Sequence, residues 1–149
     1  MPRMNIPTHD SPYDDALEAA VAAARRAAEI IREQVGAFDR VRAKGTNDFV
    51  TATDEAAQTA ILDTLLDFAP DDDVLAEEGA NLDAHSTVID GRRWIVDPLD
   101  GTTNFMQQVP PYAVSIALQH GDEIVVAVVL DIPHNELFTA VAGHGLQVN

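Results

Sequence analysis

Three runs rich in β-branched side chains follow one another from Tyr112 onward, and no other feature of the sequence constrains the fold as strongly. Two turn signals, Gly121-Asp122 and Pro133-His134-Asn135, separate these runs. Apolar runs joined by short turns of this kind are typical of neighbouring strands in an antiparallel sheet. The pattern therefore predicts an antiparallel meander with strands at residues 112–119, 123–131 and 136–142, and residues 146–148 begin what would be a further strand.

A first amphipathic helix is predicted well before these strands. Ser11 and Pro12 suit the cap and the first position of a helix, and Asp14 with Asp15 falls in its positive first turn. Apolar side chains then recur at steps of three and four, forming one stripe that ends at Gly36. The stripe consists of Leu17, Val21, Ala24, Ala28, Ile31 and Val35.

A second helix is predicted over residues 53–68, with Pro70 closing it. Its apolar face consists of Ala57, Ile61, Leu65 and Phe68. Two short apolar runs at residues 74–76 and 94–96 then end in carboxylates and are typical of buried strands. The polar stretch between them, residues 79–91, has the composition of a surface loop. Together these elements predict an α+β fold in which two helices pack on a largely antiparallel sheet.

The composition favours an acidic globular protein. The 149 residues are 46% hydrophobic, enough for one domain with a core, and no apolar run approaches the ~18 residues of a membrane span. A formal net charge of −16 repels nucleic acid and anionic membranes, so we expect neither as a partner. Because the first ten residues lack a signal-type apolar segment and the chain has no cysteine, we expect a cytoplasmic protein.

Residues 94–105 carry the strongest indication of a functional site. A buried strand delivers Asp97 to its end, and the following Pro98 holds Asp97 in an extended conformation that aims the carboxylate. Asp100 can approach the same point, and two convergent carboxylates require a cation, for which oxygen ligands favour magnesium. Gly101 allows an unusual backbone angle or close approach of a ligand, and Thr102 begins a short stretch whose free N–H groups would hold a phosphate.

A second acidic pair, Glu77-Glu78, follows the other short strand. Taken alone, Asp97 and Asp100 would be interpreted as turn residues, with Thr102 as a helix cap. That interpretation leaves Glu77 unexplained, whereas the ends of two strands in one sheet can meet. Three carboxylates would hold one or two hard cations. We therefore expect the side-chain oxygens of Glu77, Asp97 and Asp100 to converge on one cavity.

These residues resemble the inositol monophosphatase family of magnesium-dependent, lithium-sensitive phosphatases, which includes bisphosphatases acting on fructose and adenosine nucleotides. Residues 94–105 match the aspartate-proline-x-aspartate-glycine-threonine signature of the family, and residues 76–79 and 50–54 match two further motifs in family order. The resemblance covers nearly the whole chain. It implies the first half of an αβαβα layered sugar-phosphatase fold, with residues 1–149 as the N-terminal metal-binding domain.

The resemblance also implies roles for individual residues. Glu77, Asp97 and the Leu99 carbonyl would bind one magnesium ion, and Asp97 and Asp100 would contribute to a second. Gly101 and Thr102 would hold phosphate through their backbone N–H groups, and the Thr102 hydroxyl, with Glu77 or Asp54, would help to orient the attacking water. Lys44 and Asp54 resemble residues that border a third, weaker metal position in the family.

The match departs from the family in one respect. Family members generally run to nearly twice this length, and their second half supplies a tryptophan-aspartate motif that is absent here, since the only tryptophan is Trp94. We therefore expect the C-terminal domain to be absent, the second metal to be under-coordinated and one face of the sheet to be partly uncovered. An unpaired sheet edge and an exposed apolar face would favour a homodimer or aggregation over a stable monomer.

The expected reaction is hydrolysis of a small phosphate monoester by a metal-activated water that attacks in line. Inositol 1-phosphate is the first substrate to consider, and fructose 1,6-bisphosphate, a nucleotide 3′-phosphate or another sugar phosphate suits the same half-site. The rival interpretation is a non-catalytic metal-binding fragment, or a half-domain that needs a partner chain.

Overall fold

The computed structural model describes residues 10–35, 46–77 and 91–149. Within these ranges the chain forms three helices and one six-stranded sheet. In chain order the elements are α1 (Asp14–Val35), α2 (Thr46–Phe68), β1 (Asp73–Ala76), β2 (Arg92–Asp100), α3 (Thr102–Gln107), β3 (Ala113–His120), β4 (Glu123–Asp131), β5 (Glu136–Val141) and β6 (Gly145–Val148). The predicted loop at residues 79–91 lies outside the described residues except for Gly91.

The start of α1 is fixed by side chains, as the sequence predicted. The Ser11 hydroxyl accepts the Tyr13 backbone N–H at 3.2 Å, and the Asp14 carboxylate accepts the Ser11 N–H at 3.3 Å. This reciprocal capping provides acceptors for N–H groups at the start of the helix. The face of α1 that the protein buries is mostly alanine, so the helix packs closely against its neighbours: Ala16, Leu17, Ala20, Val21, Ala23, Ala24, Ala27, Ala28 and Ile31.

Helix α2 is longer than predicted, because it begins at Thr46 rather than at residue 53. The prediction relied on the apolar stripe, and that stripe begins only at Ala57. Once a helix has nucleated, each added residue contributes another backbone hydrogen bond, so a helix can extend beyond its apolar face. The end at Phe68, just before Pro70, agrees with the prediction.

The sheet is largely antiparallel, as predicted. Its six strands lie in chain order from β1 to β6; β1 pairs with β2 in parallel, and every later neighbour is antiparallel. The predicted meander is confirmed as β3, β4 and β5, and residues 146–148 extend it within β6. Helix α1 packs against β3 and β4, and α2 packs against α1 and β2, so the helices form a layer beside the sheet.

Side chains alternate between the two faces of the sheet. Trp94 and Val96 of β2 are buried, whereas Ile95 between them is half-buried. Leu75 is 37% exposed and Val129 is 38% exposed. Because Leu75, Ile95 and Val129 are apolar, the face away from the helices is an apolar surface in partial contact with solvent. This agrees with the expected uncovered face.

Among the helices of residues 10–35, 46–77 and 91–149, none combines the length and the apolar content that crossing a bilayer requires.

Candidate metal centre

Glu77 and Asp97 lie next to each other where the parallel pairing of β1 with β2 ends. In this pair of strands, Ala76 stands opposite Val96, and the Glu77 N–H continues the ladder by donating to the Val96 carbonyl at 3.3 Å. The next residues, Glu77 and Asp97, are therefore neighbours across the two strands, and both line one cavity. The predicted meeting of two acidic strand ends is present for these two carboxyl groups.

The environment of Asp97 favours its protonated form. Partial burial, the hydrogen bond and negative charge of Glu77 and the negative charge of Asp100 together raise the Asp97 pKa from 3.8 to about 6. A hydrogen bond from the Leu99 backbone N–H to Asp97 Oδ1, at 3.2 Å, acts in the opposite direction. Like charges held close together oppose ionisation in this way unless a cation is present.

Strand β2 does not end at Asp97, as the sequence predicted, but continues through a bulge to Asp100. Asp97 pairs with Ser115 and Asp100 pairs with Ala113, and the register shifts between these two pairs. Pro98 has no N–H to donate to the ladder, which suits an irregular position of this kind. The Leu99 N–H donates to Asp97 Oδ1 instead. Asp97 is therefore held by this bond as well as by its extended backbone.

The bulge places Asp100 on the same face of the sheet as Asp97, but Asp100 does not line the cavity beside Glu77 and Asp97. A cavity of about 340 Å³ on the side of the sheet away from the helices is lined by Glu77, Asp97 and Ser115, together with Leu75, Ala76, Ile95, Val96 and Ala117. Asp100 is exposed at the end of β2 and is not among the lining residues. Within the described ranges, no three His, Cys, Asp or Glu side chains are close enough together to hold one ion. The expected convergence of three carboxylates on one cavity is therefore met only in part.

Leu99 and Thr102 contact each other across the turn that follows β2. The Thr102 hydroxyl donates to the Leu99 carbonyl oxygen at 3.1 Å. A hydroxyl has a single proton, so this bond leaves the Thr102 oxygen with only lone pairs for a further partner. Thr102 is therefore able to accept a hydrogen bond from a water molecule placed beside it.

Gly101 connects β2 to α3 in a left-handed conformation, with φ 84° and ψ 39°. The Phe105 N–H donates to the Gly101 carbonyl at 2.9 Å, which closes the first turn of α3. A Cβ at position 101 would lie only 2.8 Å from the Pro111 carbonyl oxygen. The predicted short helix is thus present, and glycine is required both for the backbone angle and for the close approach of this neighbouring carbonyl.

The remaining predicted residues fall elsewhere. Asp54 is buried on α2, in the helix layer, whereas Glu77 and Asp97 line the cavity on the other side of β2. Helix α2 contacts both β2 and α3, so it approaches the end of β2 that carries Asp100. Lys44 lies outside the described residues.

Sequence reasoning missed Ser115 and Asn104. Ser115 stands opposite Asp97 and lines the same cavity. Its signal was a small polar residue between the buried Val114 and Ile116, at a position that a strand directs to the opposite face. Asn104 donates its side-chain amide to the Pro111 carbonyl. No local pattern predicts that contact, because it depends on how the chain returns from α3 to β3.

The groups near the end of β2 fit a hard cation. Glu77, Asp97 and Asp100 offer carboxylates, and Leu99 offers a carbonyl, so the possible donors are all oxygen atoms. Oxygen ligands suit magnesium rather than softer metals. The raised pKa of Asp97 reflects a repulsion between carboxylates that a cation would relieve.

Comparison with known proteins connects this arrangement to one family. Residues 13–149 match the inositol monophosphatase family. Nus factor SuhB of Escherichia coli (strain K12) is 44% identical over 135 residues, which cover 89% of this chain and 49% of that protein. Nus factor SuhB of Vibrio cholerae serotype O1 is 40% identical with the same coverage. The chain thus spans about half the length of the curated relatives it matches.

Solved structures show the same fold. The structure of inositol monophosphatase from Anabaena (Nostoc) sp. PCC 7120 superposes with a TM-score of 0.77 at 31% identity, over 93% of this chain and 48% of that one. CysQ from Bacteroides thetaiotaomicron, a bacterial member of the inositol monophosphatase family, gives a TM-score of 0.72 at 30% identity, over 91% and 49%. The helix layer and the mostly antiparallel sheet described above are therefore shared with these proteins.

Proposed function

The chain belongs to the inositol monophosphatase family, and we propose that it forms the metal-binding half of a magnesium-dependent phosphate monoester hydrolase. The observation that carries the proposal is the proximity of the Glu77 and Asp97 carboxyl groups, which line one cavity where the parallel pairing of β1 with β2 ends. The negative charge of Glu77 disfavours ionisation of Asp97, which gives a bound cation a direct electrostatic advantage.

The proposed ligands are those that the family resemblance implied. Glu77, Asp97 and the Leu99 carbonyl hold one magnesium ion, and Asp97 and Asp100 contribute to a second. When bound, magnesium supplies positive charge that neutralises the carboxylates and the phosphoryl oxygens. Asp100 is exposed, the bulge places it on the same face of the sheet as Asp97, and its charge already raises the pKa of Asp97.

The chain's own residues then position water and phosphate. The Thr102 hydroxyl donates its hydrogen bond to the Leu99 carbonyl, so its oxygen accepts a hydrogen bond from the attacking water and, with Glu77 or Asp54, orients that water. The backbone N–H groups of Gly101 and Thr102 hold the phosphate, and Lys44 with Asp54 borders a third, weaker metal position.

The proposed substrate is a small phosphate ester, with inositol 1-phosphate first. Fructose 1,6-bisphosphate and a nucleotide 3′-phosphate are the alternatives, because the groups proposed here contact only the phosphate and the metal. A structure of the same fold is named inositol monophosphatase, which supports the first choice. The net charge of −16 supports magnesium binding and opposes nucleic acid as a partner.

The second candidate function is a non-catalytic metal-binding module that needs a partner chain. One observation favours it: the cavity is lined by the carboxylates of Glu77 and Asp97 without Asp100.

The test is magnesium-dependent release of phosphate from inositol 1-phosphate. Three proteins are compared: the 149-residue chain, its Asp97→Asn variant, and the chain extended with the second half of a relative. We expect hydrolysis by the extended protein, little by the shorter chain, and none after Asp97→Asn in the extended protein. Orientation of a substrate by the rest of a site contributes up to about 7–11 kcal/mol, which is why the shorter chain should be slow. No hydrolysis by the extended protein would favour the non-catalytic module.

A further inference from the structure

Asn104 connects α3 to both ends of the segment that follows it. Its backbone carbonyl accepts the Val109 N–H at 2.9 Å, and its side-chain Nδ2 donates to the Pro111 carbonyl at 2.9 Å. One residue therefore closes a small loop twice, once through its main chain and once through its side chain. The Pro111 carbonyl faces the turn at Gly101, so its direction matters for that turn.

The turn at Gly101 is packed against this same carbonyl. A Cβ on Gly101 would lie 2.8 Å from the Pro111 oxygen and 3.3 Å from the Tyr112 Cα. These distances leave no room for a side chain at position 101, so a movement of residue 111 would open space in which the Gly101 backbone could rotate. Gly101 has a φ of 84°. Glycine reaches many other angles readily, so the turn needs an external restraint to keep this one.

A second contact holds the same region from the other side. The rings of Phe105 and Tyr112 pack edge to face, with their centroids 5.5 Å apart. Apolar packing is non-directional, so this pair brings the two segments together without fixing which way a carbonyl points. A hydrogen bond has a preferred angle and length, and Asn104 is the side chain that bonds the Pro111 oxygen.

We propose that Asn104 is a positioning residue for the turn at Gly101: its bond to the Pro111 carbonyl holds the Gly101 and Thr102 amides in the orientation that binds phosphate next to the metal ligands. The proposal rests on the proposed function, because it assumes that these amides contact phosphate. It assigns Asn104 no contact with substrate or metal. Asn104 acts on the site only through Pro111 and Gly101.

The test uses Asn104→Ala, with Thr103→Ala as the matched control on an exposed neighbouring residue. Amide exchange of Val109 is measured by NMR in both variants and in the parent chain.

Inorganic phosphate is then titrated in the presence of magnesium, and the Gly101 and Thr102 amide shifts report its affinity. Magnesium affinity is measured separately without phosphate. Asn104→Asp, which keeps the shape but loses the donor, is compared by amide exchange alone, because its charge would itself repel phosphate.

We expect faster amide exchange of Val109 in both Asn104 variants and unchanged exchange in Thr103→Ala. The phosphate affinity of Asn104→Ala should fall by about tenfold, in line with the loss of one hydrogen bond. Magnesium affinity should stay within about twofold, because Glu77 and Asp97 are held by β1 and β2. A purely structural role would weaken magnesium and phosphate together, and that result would overturn the proposal. Unchanged Val109 exchange in both Asn104 variants would also overturn it. If magnesium binds the parent chain but phosphate leaves the Gly101 and Thr102 shifts unmoved, the proposed phosphate site fails, and with it the role assigned to Asn104.

Discussion

The carboxyl groups of Asp97 and Glu77 are neighbours where the parallel pairing of β1 with β2 ends, and the hydrogen bond and charge of Glu77 help to raise the pKa of Asp97. A proton on Asp97 or a bound cation would each relieve this repulsion, so the two compete for the same oxygens.

Magnesium affinity is expected to depend on pH. Because the pKa of Asp97 is raised to about 6, the proton blocks the site increasingly as the pH falls below that value. Each further unit of pH should weaken binding by up to about tenfold, since one proton must leave when magnesium binds. Calorimetric titrations across the range from weakly acidic to neutral pH measure this. An affinity that does not change with pH would contradict the raised pKa.

The same pKa predicts how the metal-free chain responds to Asp97→Asn. Folding raises the Asp97 pKa from 3.8 to about 6, so the stabilising contribution of the bound proton is complete below 3.8 and is lost as the pH rises through about 6. At neutral pH, asparagine should therefore stabilise the metal-free fold, because it cannot ionise and its amide can donate to Glu77. Urea unfolding without magnesium tests this. The gain in free energy of unfolding should vanish at acidic pH, where Asp97 is protonated. An equal gain at neutral and at acidic pH would show that the charge of Asp97 is not its cause.

Gly101→Ala separates backbone strain from steric contact. Gly101 and Gly143 have nearly the same φ, 84° and 81°, but only a Cβ at position 101 would meet another atom within 4 Å. Alanine at either position should cost about 1–2 kcal/mol of unfolding free energy for the left-handed angle. Gly101→Ala should cost at least about 1 kcal/mol more, because the Pro111 carbonyl must move.

Urea unfolding of the two alanine variants measures the difference. Equal losses of unfolding free energy at positions 101 and 143 would mean that the nearby Pro111 carbonyl does not add to the cost of alanine at position 101.

Much of the fold could be predicted because its signals are local. The strands from 113 to 148 lie within one or two residues of their predicted bounds, since each is ended by a turn with its own sequence signal. The early start of α2 at Thr46 could not be predicted from an apolar stripe that begins later. The residues of α2 before Ala57 are not part of that stripe, so the apolar periodicity gives no signal for them.

The site was predicted less completely, because it depends on strand register. The residues Glu77 and Asp97 were found from acidic groups at two strand ends. The bulge between Asp97 and Asp100 puts both residues on one face of the sheet, and it arises from how β2 pairs with β3. Asp100 nevertheless does not line the cavity. Periodicity along one strand contains no information on its partner's register.

The central claim is that the carboxylate pair is a magnesium site, and one comparison tests it most directly. Magnesium is titrated at neutral pH into the 149-residue chain, into Asp97→Asn, and into Asp122→Asn, which makes the same chemical change at an exposed turn. The account predicts that the parent and Asp122→Asn bind magnesium equally, while Asp97→Asn binds at least about tenfold more weakly, since a shared ligand has lost its charge. Equal magnesium affinity in all three proteins would contradict it.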